Sequence, residues 1–309
     1  IPRSVPGAGS YGVTQSLVDA FFMENGLSPI LGYENNDYSK PIINPASGYT
    51  ETGFSTEPEV RNTGWQECQG NVNPGQVTMA GAYNMYCHRE ARFYIAVLYN
   101  RAWFSKTAEG GRQTMFLKGE QDGGISMDAP RNGYLQNKLA HPDRDNVNVT
   151  FPYRPAVNYR LAEAYLNYAE ALNECDPGNP DIMKYVNLIR VRAGIPEYGT
   201  GAGMITEPQG QEEVRQSIYK ERRVELCCES SIRYMDIRRL KIGEEILNRD
   251  FYGMNYFGSK LSDDKNDPDA YFVRTRYQTR SFQKKNYWFP VPQSEMDINP
   301  NLVQNPFWK

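Results

Sequence analysis

Histidine is the side chain whose proton comes and goes near neutral pH, and the 309 residues hold only two, His88 and His141. His88 directly follows Cys87. Adjacent side chains seldom point at one another, and no third group orients the imidazole, so the pair does not read as an activated nucleophile. The chain has no HExxH, no CxxC pair, no GxSxG and no P-loop. Two carboxylates at the right separation hydrolyse glycosidic bonds, and 37 acids are available. Most of them alternate with lysine or arginine at helical spacing, which favours ion pairing over paired-acid catalysis. A hydrolase is the lesser reading, and no catalytic residue is expected. Asp263-Asp264-Lys265-Asn266-Asp267-Pro268-Asp269 is rich in the oxygen ligands that calcium needs. It lacks the turn glycine of an EF-hand and Lys265 intrudes, so a solvated acidic loop is preferred to a structural calcium site. No cofactor is expected.

Aromatic rings beside amides and charges are the chemistry that remains. Aromatics make up 13% of the chain, with 22 tyrosines, which suits either packing or stacking on a ligand. Sugars present apolar C–H faces ringed by hydroxyls, so a site for them needs flat rings flanked by Asn, Asp, Arg or Gln. Trp65 lies beside Arg61, Asn62 and Gln66, and Tyr38 follows Asn35, Asn36 and Asp37. Tyr49, Trp103 and the cluster Tyr83-Asn84-Met85-Tyr86 are further candidates. The expected ligand-binding set is Trp65, Tyr38, Tyr49, Arg61, Asn62, Tyr83 and Trp103, with Trp65 foremost.

Such rings need a scaffold. From Asn158 to Pro196 the spacing predicts two amphipathic helices. Leu161, Tyr165, Tyr168, Ala169 and Leu172 share one face of the first, and Ile182, Tyr185, Val186, Ile189 and Ala193 turn inward on the second. Asp176 to Pro180 makes the turn between them, and Gly194 with Pro196 ends the segment. A helical hairpin of this length matches tetratricopeptide-like repeats. A charged helix from near Gln211 carries Val214, Ile218, Val224 and Leu226 inward, bends near Ser230 and Ser231, and resumes with Ile232, Ile237 and Leu240. Its interleaved acids and bases (Glu221, Arg222, Arg223, Glu225, Glu229, Arg233, Asp236, Arg238 and Arg239) could form an anionic-ligand site, but both signs alternate and a network tying helices together is preferred. Thr14 caps a short helix through Leu17, Val18, Phe21 and Phe22 that ends near Gly26. Ala91 to Phe104 reads as a buried strand in preference to a helix, and hairpins are expected around Met115, Phe116 and Leu117. From Leu27 to Val77 no period is sustained, as in a functional loop.

Taken with ERRVELCCESSIRYMDIRRL (Glu221 to Leu240) and WFPVPQSEMDINPNLVQNPFW (Trp288 to Trp308), the helical hairpin resembles the SusD/RagB family of outer-membrane nutrient-binding lipoproteins. TQSLVDAFFMENG (Thr14 to Gly26), REARFYIAVLYN (Arg89 to Asn100) and NGYLQNKLAHPD (Asn132 to Asp143) agree, in the family's order. The resemblance runs end to end but spans only the family's later half to two-thirds. Ala91 replaces a frequent proline, Ser230 a frequent glycine and Leu240 a frequent tryptophan. It implies a mainly α fold with SusD-like, tetratricopeptide-like helical hairpins, a loop-rich ligand-binding face and a few short strands. Residues 1–150 would form the loop-rich ligand-binding part. Residues 151–309 would form the scaffold with a proline-rich C-terminal strap, in which Trp288, Phe289 and Trp308 pack. The N-terminal part of the family fold would be a missing partner segment. The implied role is non-catalytic capture of glycans for a TonB-dependent, SusC-like transporter. The protein would sit on the cell outer membrane, surface-exposed and lipid-anchored through an N-terminal cysteine not present in this chain. A peptide-capturing relative and a protein-interaction scaffold without sugar binding are the alternatives.

Composition sets outer bounds. A net charge of -3 with mixed signs argues against a nucleic-acid partner. No apolar run is long enough to span a bilayer. The chain begins with Ile1 and reads as a processed product or a fragment. Five cysteines leave at least one thiol unpaired in a monomer. Cys68 and Cys87 could meet in an oxidising compartment, whereas Cys227 and Cys228 are neighbours on a helix that point apart. Plain burial is expected for all five.

Overall fold

The computed structural model describes residue 9 and residues 11–63, 75–107, 110–124, 128–141, 150, 152–153, 155–229 and 231–308. Thr14 accepts from the Leu17 amide at 3.3 Å and caps α1 (Gln15–Val18). This helix stops short of Phe22. The buried Arg89 guanidinium takes the Val18 and Phe21 carbonyls, and the Phe22 amide donates to Glu90 at 2.8 Å. The groups a longer helix would pair are thus already engaged. β1 (Ile30–Tyr33) and β2 (Pro41–Ile43) form an antiparallel hairpin, and β3 (Glu59–Val60) pairs with β4 (Gln76–Thr78).

The predicted strand over Ala91 to Phe104 is instead α2 (Ala91–Ala96), then β5 (Val97–Leu98), then the start of β6 (Trp103–Thr107). Phe93 and Ala96, three residues apart, turn one helical face to the core. β6 pairs with β7 (Gly110–Gln113), and β8 (Leu135–Gln136) returns to β5. The hairpin therefore precedes Met115 to Leu117, and Phe116 and Leu117 are core residues beyond it.

α3 (Leu161–Cys175) and α4 (Pro180–Ala193) are the predicted helical hairpin. Asn179 accepts from the Asp181 amide, Pro180 opens α4, and Gly194 at φ 75° closes it. α5 (Gly210–Glu225) packs against both. Leu166, Ala169, Ile182, Val186, Ile189 and Ile218 form the core among them. The face of α3 is rotated from expectation: Leu161 and Tyr168 are 63% and 46% exposed. Its two partner helices both meet it along Leu166 and Ala169, leaving Leu161 and Tyr168 at the flank.

α6 (Ile232–Arg239) and α7 (Gly243–Leu247) follow. β9 (Asp250–Gly253) then pairs antiparallel with β10 (Thr275–Thr279), and α8 (Gln293–Ile298) lies in the tail. The α5–α6 break begins at Leu226, earlier than Ser230, so Cys227 and Cys228 lie in a turn and not on a helix. Cys228 takes φ 60°, and the two thiols shift each other's ionisation, Cys227 down and Cys228 up. Cys87, Cys175, Cys227 and Cys228 are free, and Cys175 is exposed rather than buried. Cys68, and with it any Cys68–Cys87 pairing, lies outside the described residues.

A second core, rich in aromatics, is built mainly from the first part of the chain with Met254, Tyr271 and Phe272 added: Phe21, Tyr86, Phe93, Tyr99, Tyr134 and Tyr271 are fully buried. Buried ions join the two cores. Arg190 donates to Glu221 at 3.2 Å and to the Gly26 carbonyl at 2.9 Å. Arg92 reaches Glu221 at 2.6 Å and Glu225 at 2.9 Å. Arg160 bridges Glu225 and Glu229. Charges this deep persist only when paired and hydrogen-bonded. The acid–base pattern of α5 and α6 thus ties elements together, as its spacing predicts.

Candidate functional site

β10 changes register against β9 between Arg276, which faces Tyr252, and Gln278, which faces Phe251. Tyr277 is therefore the extra residue of a β-bulge, a device that re-aims a side chain. It lines a recess of about 460 Å³ with Arg131, Asn132, Gln278 and Arg280. Asn132 is held in place, donating to the Val13 carbonyl at 2.8 Å and accepting from the Tyr134 amide at 3.3 Å. Burial pushes the Tyr277 hydroxyl up, against a hydrogen bond from Asn132 and the charge of Arg280. It therefore stays protonated and able to donate.

Gly12 and Arg280 also line a second recess, of about 280 Å³, so the two adjoin. Leu17 of α1, Ile237 of α6, Leu247 of α7 and Phe251 of β9 give it apolar walls. Arg223 from α5, Arg233 from α6 and Tyr38 from the β1–β2 loop supply the polar groups. The Tyr38 ring lies 4.3 Å from the Tyr33 ring, and the Arg249 guanidinium sits 4.4 Å from its centroid. Tyr33 in turn donates to Asp19 at 2.7 Å, and Arg274 clamps Asp19 to Glu51 with bonds of 2.7 to 2.9 Å. Burial, and then the like charge of Arg223, pull Arg233 down to about 10, although Asp236 and Tyr38 act the other way.

Of the predicted ligand set, Tyr38 alone lines these recesses among the described residues. Tyr49 and Tyr83 are core residues at 6% and 3% exposure, and Tyr83 stacks on Phe272 at 4.2 Å. Their rings bridge hydrophobic neighbours and present no open face. Arg61 pairs with Glu24 and Glu59 and donates to the Arg89 carbonyl at 3.3 Å. Asn62 is exposed just beyond β3, and Trp103 is half-buried in β6. Trp65 lies outside the described residues. The sequence does not single out Tyr277, Gln278 or Arg280, and it marks Arg223 and Arg233 only within the acid–base run, where ion pairing is preferred to an anionic-ligand site. The run Tyr277-Gln278 between Arg276 and Arg280 has the same ring-plus-amide chemistry that singled out Trp65.

The other candidate chemistry is engaged structurally. Burial pushes the Cys87 thiol up to about 12, with Glu59 adding to it, so it stays protonated. In the acidic loop, Asp267 and Asp269 face Lys260 at 2.9 and 3.6 Å, and Asp263 accepts from the Gly53 amide at 2.8 Å. Among the described residues no cluster of three or more His, Cys, Asp or Glu is arranged to hold a metal. Nor is any helix among them long and apolar enough to cross a membrane.

A helical hairpin packed by a third helix, with short two-stranded pairings elsewhere, defines a mainly helical, tetratricopeptide-like class. The sequence profile of the SusD family matches residues 2–308, and the chain belongs to the SusD family. It is 33% identical over 146 residues to SusD-like protein P2 of Formosa agariphila, covering 47% of this chain and 24% of that one. A SusD-like protein of Bacteroides fragilis superposes with a TM-score of 0.62 at 26% identity, covering 96% of this chain and 47% of the other. A SusD-like carbohydrate binding protein of the same organism gives 0.60 at 21% identity, covering 96% and 52%. The chain thus spans about a quarter of that curated relative and about half of these solved ones.

Proposed function

We propose that this protein captures glycans at the outer surface of the cell and passes them, unaltered, to a TonB-dependent, SusC-like transporter in the outer membrane. The observation that carries this reading is the joined recess around Tyr277, Gln278, Arg280 and Tyr38 on a SusD-family scaffold. The half-buried Tyr277 ring would meet sugar C–H groups, while the amide and guanidiniums meet hydroxyls. No Asp or Glu lines either recess among the described residues, so the acid and base that glycoside hydrolysis requires are lacking there. Affinity electrophoresis across a polysaccharide panel, with a peptide pool alongside, tests the reading. Retardation by at least one glycan, without release of reducing ends, is expected. Binding of peptides only, or cleavage of the retained glycan, would refute it.

A further inference from the structure

We propose that the recess of about 280 Å³ between α1, α6, α7 and β9 receives one anionic substituent of a sugar, a uronate carboxylate or a sulfate ester, and so directs capture toward acidic glycans. This rests on the capture reading and deepens it.

The inference comes from which arginines lack a counter-charge. Arg92, Arg160, Arg190, Arg222, Arg239 and Arg274 each hold a carboxylate oxygen within ion-pair distance. The three guanidiniums lining this recess do not, among the described residues. Arg223 donates to the Ser16 carbonyl at 2.7 Å and hydroxyl at 3.2 Å. Arg280 donates to Gln278 at 3.0 Å and lies 4.2 Å over the Phe251 ring. Arg233 has neither a hydrogen bond nor an ion pair with any described residue. No carboxylate lines the recess. Asp236, whose field reaches Arg233, is already held by Arg222 at 2.7 Å and Arg239 at 2.9 Å.

Positive charge held against apolar walls without a counter-ion is costly, and an oxyanion with several acceptors relieves that cost. Guanidinium forks suit carboxylate and sulfate oxygens better than single hydroxyls do. The volume lies below the range of about 300–1,000 Å³ typical of whole-ligand pockets. It therefore admits one substituted ring and leaves the rest of the chain to the recess of about 460 Å³ beside it.

The test is isothermal titration of the protein with trigalacturonate, a sulfated galacto-oligosaccharide and a neutral oligosaccharide of equal length. Free galacturonate and inorganic sulfate are titrated alongside. The variants are Arg233→Gln and the exposed Arg280→Gln, with a thermal melt to confirm folding. One acidic oligosaccharide should bind about 10-fold or more tightly than the neutral one, as a charge-assisted hydrogen bond implies. Each variant should erase most of that preference, and added salt should weaken it. The two acidic arms tell carboxylate from sulfate. Neutral and acidic chains binding alike, or a preference that survives in both variants, would overturn the proposal while leaving capture standing. Arginine-dependent binding of the free anions with no oligosaccharide bound would support the anion recess and refute capture. No binding of any probe would overturn both.

Discussion

Glu225 is where the two cores are most tightly joined, and replacing it with Gln tests that joint. Its side chain is 2% exposed and accepts from Arg92 at 2.9 Å, with Arg160 and Arg192 also paired to it. Burial alone would raise its pKa, but Arg92, Arg192 and Arg160 outweigh it and hold the carboxyl at about 2, against 4.5 as the ordinary value. A carboxyl titrating near 4.5 unfolded and near 2 folded contributes about 3 kcal/mol at neutral pH. Removing one partner of a buried ion pair costs about 3–5 kcal/mol in general. Here Arg92 keeps Glu90 and Glu221, and Arg160 keeps Glu229, so the low end applies. The two routes agree on about 3 kcal/mol.

The sign of the pH dependence follows from the depressed value. Stability from Glu225 is fully present above about 4.5 and is lost as pH falls toward about 2. Glu90 works the other way, because burial outweighs Arg92 and pushes it up. Comparing parent with Glu225→Gln largely cancels that second contribution. Urea unfolding followed by tryptophan fluorescence at pH 7, 5 and 3 is the assay. The gap between parent and variant should be about 3 kcal/mol at pH 7 and clearly smaller at pH 3. A gap under about 0.5 kcal/mol at pH 7, or one that does not change with pH, would refute the reasoning.

Tyr277→Ala removes the bulge ring from the larger recess and should weaken glycan binding about 10-fold, measured by titration, while leaving the melting temperature nearly unchanged. Gly133→Ala places a methyl 2.7 Å from Met254 Cβ and 2.8 Å from the Tyr271 hydroxyl at φ 74°. A loss of about 2–4 kcal/mol in urea unfolding is expected. Leu166→Ala empties part of the helical core, where Leu166 has 0% exposure. It should cost about 2–5 kcal/mol in the same assay with unchanged glycan affinity, because the helical core does not line the recesses.

Local signals in the sequence located the scaffold well and the site poorly, and the reasons are physical. Helical spacing, the Asn179 cap, Pro180 and Gly194 all act within one turn of chain, so α3, α4 and α5 could be read directly. α1 could not. Its early stop depends on Arg89 and Glu90, about seventy residues away, taking the backbone groups of Val18, Phe21 and Phe22. The rotation of α3 was hidden for a similar reason, since which of its apolar residues are covered depends on where α4 and α5 lie. Tyr49 and Tyr83 carry the composition of a ligand site, yet the aromatic core claims them. Nothing local separates a ring that stacks on sugar from one that stacks on Phe272.

The same limit governs charge, and there it works in favour of function. On the sequence, Arg222 and Arg223 are neighbours on one helix, flanked by the same acids. In the fold, Arg222 meets Asp236 at 2.7 Å and disappears into the joint between helices. Arg223 turns instead toward Ser16 and a recess that it shares with Arg233 and Arg280. A folding network can afford buried arginines because carboxylates neutralise them. Arg223 ties α5 to Ser16 and Arg280 stacks on Phe251, yet neither they nor Arg233 meet a carboxylate among the described residues. The counter-charge they lack is what the proposed anionic sugar substituent would bring.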